Sequence, residues 1–210
     1  MRPLLALCAV TLALTACVPS TTDPLTPTPS GTTDSARLLG QLTEAKAASM
    51  RGYSRERFPH WRDTGRNCDV RDTVLQRDGN EVRLSGCNVV GGRWFSPYDK
   101  KTLADPSDVD IDHMVPLANA WRSGANEWKD QQRGDFANDL TRPQLIAASA
   151  SSNRSKGDQD PSQWKPTNRD YWCTYARDWI AVKHFWRLTV TTAEKSALTD
   201  MLGTCPGGKP

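Results

Sequence analysis

Charge of one sign is scarce in this chain: 27 Lys and Arg stand against 24 Asp and Glu in 210 residues, a net charge of +3. That balance permits contact with phosphates but does not by itself argue for nucleic acid, because a tight non-specific binder usually carries a strong basic excess. Long apolar runs are also missing. The run Leu4–Leu14 has eleven residues, interrupted by Thr11, where about 20 are needed to span a bilayer as a helix. No internal repeat is present, none of the six cysteines shows the C-x₂₋₄-C spacing of structural zinc sites, and histidine is limited to three positions, His60, His113 and His184. What remains, 37% hydrophobic and 24% charged, is ordinary globular composition. It excludes disorder throughout, a collagen-like repeat and a polytopic membrane protein. One domain with a short tail fits the length.

Met1-Arg2-Pro3 ahead of the apolar run has the form of a secretory signal. Leu14-Thr15-Ala16-Cys17 then resembles the bacterial lipobox, in which the Cys is lipidated on sulfur and the chain is cut just before it; an ordinary signal with an incidental Cys17 is the alternative. Residues 18–35 are nearly all Thr, Pro, Ser and Gly, a composition that buries nothing and reads as a spacer. The expected organisation is a signal peptide over 1–16, a lipidated Cys and linker over 17–35, and a folded domain over 36–210. The protein is expected to be exported and held at the bacterial cell membrane, facing outward.

Export makes the remaining cysteines readable. Cys68, Cys87, Cys173 and Cys205 are even in number in an oxidising compartment, and the local pairs Cys68–Cys87 and Cys173–Cys205 are expected. Leu38, Leu39, Leu42, Ala45 and Ala48 give a helical stripe over 36–51. Residues 69–76 read as a short helix, and Val82 and Leu84 alternate with polar residues. Asn88-Val89-Val90 and Arg93-Trp94-Phe95 read as strands around a Gly91-Gly92 turn. Trp172, Tyr175, Ala176, Trp179, Val182 and Trp186 form a helical stripe of core type, and Thr191 with Glu194 offers a capping box for a last helix ending at Gly203.

The chemistry lies between these parts, in Asp110-Ile111-Asp112-His113-Met114-Val115-Pro116-Leu117. In an extended segment residues 110 and 112 share a face. Two carboxylates there suit Mg²⁺ or a similar oxygen-loving cation, and the adjacent imidazole suits a general base. Asp110 is either a water-mediated metal contact or a solvated residue fixing the loop. Farther on, a short apolar strand or turn runs into an Ala/Ser helix, where Asn153 could supply a neutral oxygen ligand and Arg154 and Lys156 could hold a phosphodiester. His60 and His184 read as structural.

Together, Asp110-x-Asp112-His113-x-Val115-Pro116-Leu117, Ser123-Gly124-Ala125-x-x-Trp128, Phe136-Ala137-Asn138-Asp139 and Asn153-Arg154-Ser155-Lys156-Gly157-x-x-Asp160-Pro161-x-x-Trp164 resemble the HNH (ββα-metal) nucleases. The likeness is closest to exported proteins related to the C-terminal domain of GmrSD-type restriction enzymes, and it spans about residues 36–205. The resemblance implies an α+β fold with a ββα-metal motif among helices and a small antiparallel sheet. It makes His113 the base that activates water and Asp112 and Asn153 the ligands of one divalent metal, Mg²⁺ or Mn²⁺. Gln144 stands where these nucleases carry an Asn that braces the loop holding the base, with Asn138 nearby but out of register. The implied function is metal-dependent cleavage of nucleic acid, DNA foremost, with low sequence preference, by a monomer with no protein partner. The rival is a surface-binding envelope protein, weak or inactive as a catalyst, on the same scaffold.

Overall fold

In the computed structural model, which describes residues 31–206, the first helix, α1 (Thr32–Gln41), stops well short of residue 51. Cys17 and the linker up to residue 30 lie outside the described residues. The chain beyond Leu42 turns extended because its backbone groups go elsewhere: Ala45 N–H donates to Val190 O (2.9 Å) and Val190 N–H to Thr43 O (3.0 Å). The stripe fails there because Ala45 and Ala48 bury little, whereas Leu39 and Leu42 are buried.

Strands β1 (Asp63–Gly65) and β2 (Cys68–Asp69) form a small ladder leading into α2 (Val70–Asp78). Asp69 and Asp72 close a reciprocal capping box at the start of α2. A three-stranded antiparallel sheet follows, ordered β3 (Gly79–Ser85), β4 (Asn88–Ser96), β5 (Lys101–Leu103). The expected turn at Gly91-Gly92 is not there. Both glycines lie inside β4, and the hairpin turns at Gly86, whose φ of +63° suits a residue without Cβ. Gly91 and Gly92 serve close approach instead: a Cβ at Gly91 would stand 2.1 Å from the Arg83 guanidinium and one at Gly92 2.6 Å from the Trp94 ring.

The strand that carries the Asp-His sequence, β6 (Val109–His113), pairs antiparallel with β7 (Leu145–Ser149), placing Asp110 opposite Ala148 and Asp112 opposite Ile146. β7 runs directly into α5, which follows α3 (Leu117–Arg122) and α4 (Asp130–Ala137) in chain order and spans Ala150–Lys156. Ser149 caps it by accepting from Ser152 N–H. The outer edge of β7 is closed by side chains. Arg77 donates to Leu145 O (2.6 Å), Asp78 accepts from Ala147 N–H (2.9 Å), and the two pair with each other.

Two cores result. The smaller joins Val70, Val74 and Leu75 of α2 to Trp94, Val109, Ile111, Leu145 and Ala147. The larger surrounds α6 (Trp172–Phe185), whose Tyr175, Ala176, Trp179 and Val182 are fully buried as the tryptophan stripe predicts. The last helix, α7 (Thr192–Leu202), has the Thr191–Glu194 capping box. Cys173–Cys205 clips α6 to the end of α7, and Cys68–Cys87 ties the entry of α2 to the β3–β4 turn, with Cα separations of 4.9 and 5.1 Å. Helices, small antiparallel sheets and two disulfides are thus as expected. Among the described residues no helix is long and apolar enough to cross a membrane.

Candidate functional site

Alternation along β6 decides which groups meet. Val109 and Ile111 face α2, and His113 follows them to the side where Trp61 packs on the smaller core. Asp110 and Asp112 point the other way, toward α5. The two sets of side chains meet around the C-terminal end of the strand, where Lys156 also donates to the His113 carbonyl (2.8 Å).

His113 is fixed on three sides. Its Nε2 lies 2.9 Å from Ala137 O, so Nε2 carries the proton and Nδ1 is the accepting atom. The Trp61 indole stacks on the ring at 5.4 Å between centroids and 10° between planes. His60 stands edge-on at 5.9 Å. Burial, assisted by the nearby charge of Arg55, lowers the imidazole from its ordinary 6.5 to about 3, so it is neutral at physiological pH.

Gln144 is wholly buried and clamps the chain just past His113. Its Oε1 accepts from Val115 N–H (3.1 Å) and its Nε2 donates to Val115 O (2.9 Å). The longer Gln arm reaches both backbone groups of one residue. Gln144→Leu should therefore leave two buried polar groups without partners and cost about 2–5 kcal/mol. Urea unfolding measures this, and an unchanged midpoint would remove the clamp from the account. Asn138 acts elsewhere, donating to Pro59 O (2.7 Å) and accepting from Arg62 N–H (3.0 Å).

Lys156 is a correction. It does not reach a substrate surface: its side chain is fully buried, and its ammonium donates to Asp112 Oδ2 at 2.7 Å. The same oxygen accepts from Tyr98 OH at 2.5 Å. Lys156 follows Asn153 and Arg154 on a short helix, and only the turn that points inward can meet Asp112; sequence does not distinguish that turn from the outer one. Asp112 is thereby committed to an ammonium and a phenol and does not fit as an open metal ligand. Arg154 is exposed on α5.

Asp110 and Asn153 do meet, the Asn153 amide donating to Asp110 Oδ2 at 3.1 Å, both half-buried. Turning the amide over exchanges its N for its O and leaves two oxygens at that spacing. Mg²⁺–O bonds of about 2.1 Å put neighbouring octahedral oxygens about 3.0 Å apart. A hydrated hard cation therefore fits Asp110 with Asn153. Among the described residues no cluster of three or more His, Cys, Asp or Glu side chains is arranged to hold a metal.

Sequence reading missed Trp61 and the place of His60. Pro59-His60-Trp61 lies more than fifty positions before His113, and a His beside a Trp was its only local signal. His184 bonds Gln41 (3.0 Å), away from this site.

Residues 70–201 match the family described as GmrSD restriction endonucleases, C-terminal domain. A protein of Arthroderma benhamiae described as an uncharacterized secreted protein is 55% identical over 169 residues, covering 80% of this chain and 83% of its own. No solved structure matches.

Proposed function

The chain belongs to the family of GmrSD restriction endonuclease C-terminal domains, and on that premise we propose that it is an exported nuclease that hydrolyses phosphodiester bonds of nucleic acid. DNA is the substrate in this reading, cut with little sequence preference, because the described residues show no separate recognition module. The observation that carries it is the His113 imidazole, neutral, held by Ala137 O and Trp61, and left with Nδ1 to accept a proton. Water attacking phosphorus must lose a proton, and a fixed neutral imidazole takes it. The succession β6, β7, α5 supports an HNH-type arrangement.

Asp110 and Asn153 are the groups that would hold a divalent cation. Mg²⁺ or Mn²⁺ there would polarise the phosphate and stabilise the leaving oxygen. Asp112, through Lys156, braces the end of β6 from behind. Arg154, adjacent to Asn153 on α5 and exposed, is placed to meet the nucleic-acid backbone.

Plasmid nicking by the purified chain tests the reading. Supercoiled DNA should be nicked with Mg²⁺ or Mn²⁺ and spared in EDTA, with duplex DNA cut ahead of single strands, RNA and small phosphodiesters. No cleavage of any of these under any metal would overturn it. The ammonium on Asp112 favours the second reading, a surface-binding protein that is weak or inactive as a catalyst, and DNA binding without nicking would select that one.

The secreted description of the Arthroderma benhamiae relative supports export. Anchoring through lipid on Cys17 is proposed beyond that. The wild-type protein should partition with membranes and Cys17→Ser should not; a wild-type chain found wholly in the medium and starting elsewhere would refute the anchor.

A further inference from the structure

Across β3, β4 and β5 the sequence sets Arg83, Arg93 and Lys101 against a single acid, Glu81. We propose that the outward face of this sheet binds an unpaired nucleic-acid strand, with a base stacked on Phe95 and its phosphates held by Arg83 and Arg93. The proposal rests on the nuclease reading above and deepens it: the substrate is duplex DNA that carries a single-stranded tail, and the tail lies on the sheet.

Register decides which side chains share that face. Asn80 pairs with Arg93, Arg83 with Gly91 and Thr102 with Phe95. Alternation therefore puts Arg83, Gly91, Arg93 and Phe95 on one side. The two glycines mark the sides independently. A Cβ at Gly92 would meet the Trp94 ring, which belongs to the smaller core, whereas one at Gly91 would meet the Arg83 guanidinium. Arg83 thus lies across β4 where Gly91 leaves no side chain, in line with Arg93 and Phe95 at steps of about 6.6 Å.

The chemistry of the face fits a strand of uncovered bases. Phe95 is 54% exposed. Arg83 and Arg93 are exposed too and form no ion pair among the described residues. A ring flanked by unpaired guanidiniums offers a stacking surface to a base and N–H donors to phosphates. Paired bases hide their faces inside the duplex, so only unpaired ones can lie on that ring. A lipid surface fits less well. Leu84, also exposed, pairs with Val89, which packs on the smaller core, so it sits on the opposite side from Phe95. Phe95 also lines a cleft of about 480 Å³ with Met114, Pro143 and Ile146. Met114 follows His113 and Ile146 opposes Asp112, so the platform opens toward the end of β6 where the candidate site lies.

The test is fluorescence anisotropy with the full chain and two fluorescein-labelled DNAs, a blunt duplex and the same duplex with a single-stranded tail of about 10 bases. EDTA is present, and gels check that the DNA stays intact. The tail should tighten binding about 5-fold or more, the low end for one stacked base. Phe95→Ala and Phe95→Leu should both erase that gain, while blunt-duplex binding and plasmid nicking stay as in the wild type. Arg83→Ala and Arg93→Ala should each lower the slope of log affinity for the tailed duplex against log salt by about 0.7, the value for one phosphate of a single strand. All three side chains are exposed, so the variants should melt like the parent protein. A tail that adds nothing, or a gain that survives Phe95→Ala, would overturn the platform, and plasmid nicking by the wild type would leave the nuclease reading in place. A Phe95-dependent gain in a chain that nicks no DNA would overturn cleavage and keep the tail as a ligand. Phosphatidylglycerol vesicles are the last probe: binding to them that falls with Phe95→Ala, without any gain from the tail, would assign the face to lipid and overturn the proposal.

Discussion

His113→Ala should slow DNA cleavage about 10²–10⁴-fold, the usual cost of losing a general base, with little change in KM. Cleavage at the wild-type rate by this variant would end the mechanism. The same residue leaves a mark on stability. Burial holds His113 at about 3 in the folded protein, while the unfolded chain takes up the proton near 6.5. Between those values the unfolded state binds the extra proton. The contribution is therefore fully present above pH 6.5 and declines as pH falls toward 3, by up to about 1.4 kcal/mol per pH unit. Asp178 works the other way in part of that window: burial raises it to about 7, so the folded state gains a proton there and is favoured as pH falls. The difference between wild type and His113→Asn isolates the histidine. Denaturation midpoints of the two should diverge at pH 7 and converge toward pH 4, and parallel curves would show that His113 is not the buried neutral ring described. Because His113 stays unprotonated well below 6.5, cleavage that depends on it should persist at pH 5.

Lys156→Ala should destabilise the fold by about 3–5 kcal/mol, because it strands the Asp112 carboxylate in the interior. For a domain of this size that lowers the melting temperature by about 10 °C. The pair is closed off from solvent on both sides, the lysine fully and the aspartate nearly so. Burial alone pulls the ammonium below its ordinary value, and Asp112 opposes that pull. Combining Lys156→Met with Asp112→Asn should recover much of the loss, since a buried pair removed together costs far less than one partner removed alone. Calorimetry reads all three variants. A Lys156→Ala protein that melts like wild type but binds DNA poorly would return the lysine to the substrate surface.

Much of this could be read from sequence where one local rule dominates. Thr191 and Glu194 sit three apart ahead of an apolar run, and that spacing alone makes their cap. The tryptophan stripe of α6 has a period no exposed helix needs. Cys68 and Cys87 pair because a short helix and one strand bring the chain back on itself. Legibility ends where distant segments compete. The stripe after Leu42 lost to Val190, which lies nearly 150 residues away. Gly91-Gly92 has the composition of a turn, and only the bulk of Arg83 and Trp94 reveals why small residues stand there. In the site, the meeting of Asp110 with Asn153 was legible because the chemistry crowds into two short motifs, whereas the pairing of Asp112 with Lys156 was not. Trp61, which stacks on His113, was not legible, since its link to that ring is made through the fold.

The Arg77–Asp78 pair on the outer edge of β7 has a bearing on self-association. An open strand edge is a template on which a second chain can lay down its own strand. Here the carbonyl of Leu145 and the amide of Ala147 are already taken. The strand that leads into α5 therefore offers a neighbouring copy neither group to start from, and the edge next to the candidate site is guarded against polymer growth.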